Sequence, residues 1–192
     1  MEFEVITKVL EVNRDDIIAK MDNLGAQKIY EGRVLLDYFR NEASKIGEEQ
    51  KFLYLKSYEE GLGEITWNGA HEIVGVSRKR HEISFVVGDT EKAAELLTEL
   101  RYERYAHQEK NRISWVYDAW RFNLEEYPEV PSYLKIKGHS DEHVREAVVQ
   151  LGLGGHKITS DLDRVIIEFT YHRDWYNLRF PPKNPLQAPA PV

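Results

Sequence analysis

The chain has 192 residues, 42% of them hydrophobic and 31% charged, enough to bury one sizeable core and too few to require two domains. It contains no cysteine, which excludes disulfide frameworks, thiolate zinc sites and cysteine nucleophiles and fits a reducing compartment. Its formal net charge of −7 argues against a general nucleic-acid binder, so any polyanion must meet a local cluster of positive charge that opposes the global sign.

The N-terminal residues MEFEVITKV lack a basic stretch followed by an apolar run. No segment approaches the roughly 18 consecutive apolar residues of a membrane span, and a soluble, cytoplasmic protein is expected. Alternation of period two predicts a first strand over 2–10. Asn13 then reads as the N-cap of a helix that carries Ile17, Met21 and Leu24 and stops at Gly25. Further alternating runs rich in Val, Ile, Tyr, Phe and Trp cover 33–40, 51–58, 63–68 and 73–87. A second helix starts near Asp89 or Thr90 and places Ala93, Leu96, Leu97 and Leu100 on one face. Strands follow at 107–118, 120–125 and 132–137, and a third helix runs from Ser140 through Val144, Val148 and Leu151 to Gly152. The sum is an α+β chain. A strand-helix-strand pattern occurs twice, in KVLEVNRDDIIAKMDNLG and SFVVGDTEKAAELLTELR, and a quasi-symmetric barrel is one economical outcome. The proline-rich PPKNPLQAPAPV ends the sequence. We therefore expect one domain over 1–175 and an extended tail over 176–192.

Residues two apart on a strand share a face, and here one parity is repeatedly charged. The sets are Glu4 and Lys8; Lys56; Arg78, Arg80 and Glu82; Lys110 and Arg112; Glu125; and Lys135 and Lys137. Val5, Leu53, Leu55, Ile83, Ile113, Trp115, Leu134 and Ile136 stand on the opposite parity. If the apolar parity packs under the helices, the charged parity faces either bulk water or the inside of a barrel, and alternation does not choose between them. Among the seven histidines only His139 and His143 fall four apart, around a helix start, where a solvated terminus is a simpler reading than a zinc site. No P-loop, dinucleotide-binding or nucleophile-elbow pattern occurs.

In order, the chain shows EVITK at 4–8, LGA at 24–26, DYF at 37–39, YLK at 54–56, TWNG at 66–69, RHEIS at 80–84, KNR at 110–112 and YLKIKG at 133–138. Over residues 4 to about 152 this series resembles the CYTH family, the triphosphate-tunnel proteins that include class IV adenylyl cyclases and thiamine triphosphatases. The resemblance implies a closed, antiparallel, eight-stranded β-barrel with about three flanking helices and a basic lumen. It further implies that Lys8, Lys56, Arg78, Arg80, Lys110, Arg112, Lys135 and Lys137 cradle a triphosphate or similar polyphosphate or nucleotide, phosphate being matched by bidentate Arg and compact Lys charges. Family carboxylates hold Mg²⁺ or Mn²⁺; the acids that match here are Glu4, Glu82 and Glu125, while Ile6, Ser84, Lys135 and Lys137 stand where others are expected.

Two lysines beside a weakened carboxylate set repel a cation and can supply its charge themselves. The expectation is therefore a small-molecule triphosphate binder, with neither a nucleic-acid polymer nor a membrane as partner and with reduced or no metal-dependent catalysis. Two alternatives stand beside it: an active cyclase or triphosphatase using Mg²⁺, and a non-catalytic scaffold whose lumen charges pair with one another. The sequence leaves the oligomeric state open, a homodimer included.

Overall fold

The computed structural model describes residues 3–42, 51–58 and 61–181, with backbone alone at Phe3 and Glu4. β1 (Phe3–Val9) leads into α1 (Arg14–Leu24), then β2 (Gln27–Arg40), β3 (Phe52–Tyr58), β4 (Gly63–Val74) and β5 (Ser77–Val87). α2 (Thr90–Glu99), β6 (Glu103–Tyr117), β7 (Trp120–Glu126), β8 (Tyr133–Gly138) and α3 (Asp141–Gln150) follow. The caps are the expected ones: Asn13, Asp89 and Ser140 side chains accept from the N–H groups of Asp16, Lys92 and His143, filling donors that a helix start leaves unpaired. Gly25 ends α1 at φ +76°.

Neighbouring strands run in the order β6-β2-β3-β4-β5-β1-β8-β7, all antiparallel, and β7 pairs back onto β6 over Asn111–Tyr117, so the sheet closes. This is the expected eight-stranded barrel. Its pairings map onto themselves when β1–β4 are exchanged with β5–β8: β1 pairs with β5, β2 with β6, and β2–β3–β4 is repeated as β6–β7–β8. The repeated strand-helix-strand pattern is thus carried through the whole barrel. Because β1 and β5 are antiparallel, the exchange also turns the barrel end for end.

The apolar parity faces outward under the helices. Val5, Val9, Trp115, Phe122, Leu134 and Ile136 pack with Ile17 and Met21 of α1 and Val144 and Val148 of α3, while Leu53 and Leu55 pack with Ala93 and Leu97 of α2. Three expected core residues are otherwise placed: Ile83, Leu96 and Leu100 are each at least half exposed. Ile83 lies past Arg78–His81, the stretch of β5 that pairs with β1 among the described residues.

The chain beyond α3 adds parts that alternation did not foresee. β9 (Ile158–Thr159) pairs with the end of β1, and α4 (Asp163–Val165) continues as a π-helical turn over Ile166–Thr170. β10 (Asn177–Leu178) pairs in parallel with β6. Ile166, Ile167, Trp175 and Leu178 are buried against Leu36, Tyr38, Phe52, Tyr54, Tyr127 and Tyr133, so this segment closes one end of the lumen with an aromatic core. β10 falls inside the stretch expected as tail, and residues 182–192 lie outside the described residues.

Candidate functional site

The charged parity faces the lumen. β-strand periodicity places successive polar residues at increasing depth from the open mouth: Lys137 then Lys135 on β8, Arg112 then Lys110 on β6, and Ser84, Glu82, Arg80 and Arg78 on β5. A mouth cavity of about 730 Å³ includes Lys56, Arg112, Arg121, Lys137, Glu64 and Glu82 in its lining. A deeper cavity of about 60 Å³ includes Arg78, Arg80, Lys110, Lys135 and Asp163. Together the two linings hold nine basic side chains against four carboxylates, an excess opposite in sign to the chain's net charge of −7.

Two carboxylates, Glu125 and the partly buried Asp163, organise the deep cations. Glu125 is fully buried; its carboxylate receives two bonds from Arg112, at 2.7 and 3.2 Å, and lies 3.1 Å from Lys110 Nζ and 3.7 Å from Lys135 Nζ. Burial alone would raise this carboxyl, but the Arg112, Lys110 and Lys135 charges outweigh it and hold the group well below the usual carboxylate range. Asp163, the first residue of α4, lies 3.2 Å from Lys8 and 3.1 Å from Lys135 and accepts the Tyr133 hydroxyl at 2.9 Å. Here too burial opposes ionisation, and Lys135, Lys8 and Lys110 override it.

The segment supplies main-chain acceptors as well, with Lys8 donating to the Asp161 carbonyl and Arg78 to the Ser160 carbonyl at 2.7 Å. Lys8, only 1% exposed, is lowered by burial against the pull of Asp163. Lys110 donates to the Tyr127 hydroxyl at 3.1 Å, and burial brings it down to about 7. Nearer the mouth Lys56 pairs with Glu64 at 2.7 Å and Arg80 with Glu82 at 3.1 Å.

Seven of the eight basic residues of the expected set line the two cavities and Lys8 lies against Asp163 beside them, but three determinants were missed: Arg121, which shares the Glu125 parity of β7, Glu64 and Asp163. Glu64 continues the Asn68, Thr66 parity of β4 and was legible from alternation. Asp163 lies in SDLDRVII, where an Asp ahead of an apolar run signals a helix start, yet nothing local says that this start enters a barrel.

Of the expected acidic set, the two residues with described side chains, Glu82 and Glu125, are engaged by cations rather than open to a divalent metal. Glu125 spends its oxygens on three cations, Glu82 is bound to Arg80, and the side chain of Glu4 lies outside the described atoms. Hard cations need carboxylate, carbonyl or water oxygens rather than ammonium neighbours. No group of three potential His, Asp or Glu ligands forms among the described residues. The two histidines at α3 stack at 3.8 Å, and His143 also stacks on Trp120 at 4.7 Å. His139 is exposed, as a solvated terminus requires, whereas His143 is buried, which corrects that expectation for the second histidine.

Among solved structures the barrel is similar to a Vibrio parahaemolyticus protein assigned as an adenylate cyclase, with TM-score 0.73 and 15% identity over 87% of this chain and 98% of that one. The fold is the CYTH-like tunnel. The tunnel is also similar to a Hippeastrum protein assigned as an adenylyl cyclase and found to have a dominant triphosphatase activity (TM-score 0.64, 10% identity, 86% and 94% covered). A Pyrococcus horikoshii protein matches it at TM-score 0.64 and 22% identity, with 78% and 90% covered. No protein-family model matches the chain, and no curated protein sequence does. At these identities the likeness is one of fold, and one fold hosts many chemistries. No helix among the described residues is long and apolar enough to cross a membrane.

Proposed function

We propose that the chain binds a short, phosphate-rich anion in the mouth of its tunnel without a divalent metal and with little or no phosphoryl chemistry. The observation that carries this reading is the excess of basic over acidic side chains around two connected levels of a closed barrel in an acidic protein. Burying like charges together is costly unless an anion offsets them. Glu125 and Asp163 offset the deep cations, whereas the mouth keeps a volume within the range of about 300–1,000 Å³ used for small ligands. Arg121 and Lys137 stand there to donate charge-assisted bonds, beside Arg112, which Glu125 holds in place.

The paired deep cations favour the scaffold alternative for that half of the lumen, and the engaged state of Glu82 and Glu125 weighs against a metal-dependent cyclase or triphosphatase. Calorimetric titration with tripolyphosphate and with ATP, in EDTA and in excess Mg²⁺, with products resolved by chromatography, separates the three. Binding in EDTA without product is the expected result. Binding and turnover only with Mg²⁺ transfer the protein to the enzyme reading, and silence under all conditions leaves the scaffold.

A further inference from the structure

The mouth is not uniformly polar. Its cavity is also lined by Ile29 of β2, Leu62 just before β4, and Phe85 and Val86 of β5, and all four are exposed, Phe85 by 55% and Val86 by 73%. They come from strands far apart in sequence, so their convergence belongs to the barrel rather than to one apolar run. Round the closed sheet, Arg112, Arg121 and Lys137 with Ser114 and Asn123 occupy the contiguous arc β6–β7–β8, whereas the apolar groups occupy β2 and the β4–β5 hairpin.

That hairpin extends beyond the part of β5 paired with β1, so Phe85 and Val86 stand at the rim and not in the wall. Among the described residues neither belongs to a core cluster packed under a helix. Four half-exposed apolar side chains gathered on one cavity are what a ligand with an apolar portion would bury. An inorganic phosphate chain would use only the basic arc and leave the other wet.

We infer that the ligand is an amphiphilic organic phosphate, its phosphates held by the β6–β7–β8 arc and an apolar head group lying on Ile29, Leu62, Phe85 and Val86. This rests on the binding reading above and adds the class of ligand. Lys56, Tyr58, Glu64 and Ser84 stand between the apolar groups on β3–β5, so the head meets apolar area at the rim with donors and acceptors below it, and its buried apolar area sets the margin over a bare phosphate chain.

The test compares pyrophosphate, ADP and geranyl diphosphate, which carry two phosphates each and differ in the head, by calorimetric titration in EDTA. Geranyl diphosphate should bind at least tenfold more tightly than pyrophosphate, with ADP between them. Phe85→Ala and Leu62→Ala, both at exposed positions, should each remove most of that margin while leaving pyrophosphate affinity unchanged. Equal affinities for all three, unaltered by either variant, overturn the inference and leave the binding reading standing; failure of all three to bind sinks both. Sedimentation of the free protein supplies the remaining discriminator: a dimer that dissociates in Phe85→Ala would assign the rim to a second copy of the chain and overturn the ligand assignment.

Discussion

Replacing Asp163 with Asn keeps the shape of the side chain and an acceptor for Tyr133 but removes the charge shared by Lys8 and Lys135. Breaking a buried pair by deleting one partner costs about 3–5 kcal/mol, because the other charge is left uncompensated. The low end applies, because Lys135 retains Glu125 at 3.7 Å and Asp163 itself keeps 20% of its side-chain surface in solvent. Lys8, left with the Asp161 carbonyl and a neutral amide oxygen in place of the carboxylate, carries most of the loss, about 3 kcal/mol. Urea unfolding at neutral pH measures it. The same vacancy is a hole of positive potential, so tripolyphosphate should stabilise Asp163→Asn more than the parent, a hundredfold excess over Kd being worth about 2.7 kcal/mol. A variant within about 0.5 kcal/mol of the parent, and no more responsive to the anion, would refute the claim that this carboxylate neutralises the deep lumen.

The remaining predictions follow the same charges. Lys137→Ala and Arg121→Ala should each weaken tripolyphosphate binding about tenfold, the scale of one charge-assisted hydrogen bond, and should flatten the dependence of affinity on salt; titrations at several ionic strengths check both. Glu125 and Asp163 have folded values below their unfolded ones of about 4.3 and 3.9. Their stabilisation is therefore complete above about pH 4–5 and is lost as pH falls through the folded values, so Glu125→Gln should unfold at lower urea at pH 7 and show a shallower acid decline. Lys110 is depressed to about 7 in the fold against about 10.4 unfolded. The unfolded chain then binds more protons between those values, and stability should rise with pH across that window, with Lys110→Met reducing the slope. Gly75 closes the β4–β5 turn at φ +61°, with Asp141 Oδ2 2.2 Å from the position a Cβ would take; Gly75→Ala should cost about 2 kcal/mol or more in thermal or urea unfolding.

Alternation located the barrel because inside and outside differ in chemistry at every second residue. Lys8, Arg78, Lys110 and Lys135 could be assigned to one face for that reason, but one strand cannot say whether that face is wet or enclosed; closure comes from β7 meeting β6, a contact between strands that no single run encodes. β2 begins at Gln27, earlier than expected, because QKIYEG alternates only weakly and is recruited by pairing with β6. The run read as 73–87 hid a turn, since Gly75 there can adopt a left-handed backbone without interrupting the pattern. Asp163 was missed for a different reason: its partners lie at residues 8 and 135, and nothing near it in sequence is basic except Arg164.

A barrel that exchanges with itself end for end would, from its strands alone, have two equivalent openings. The segment from Ile158 to Leu178 removes one of them, turning a pipe into a socket. A socket cannot be threaded. A linear polyanion longer than the mouth can then enter only by its terminus, with its interior left outside, so the number of protein molecules bound to such a chain would count its ends and not its length.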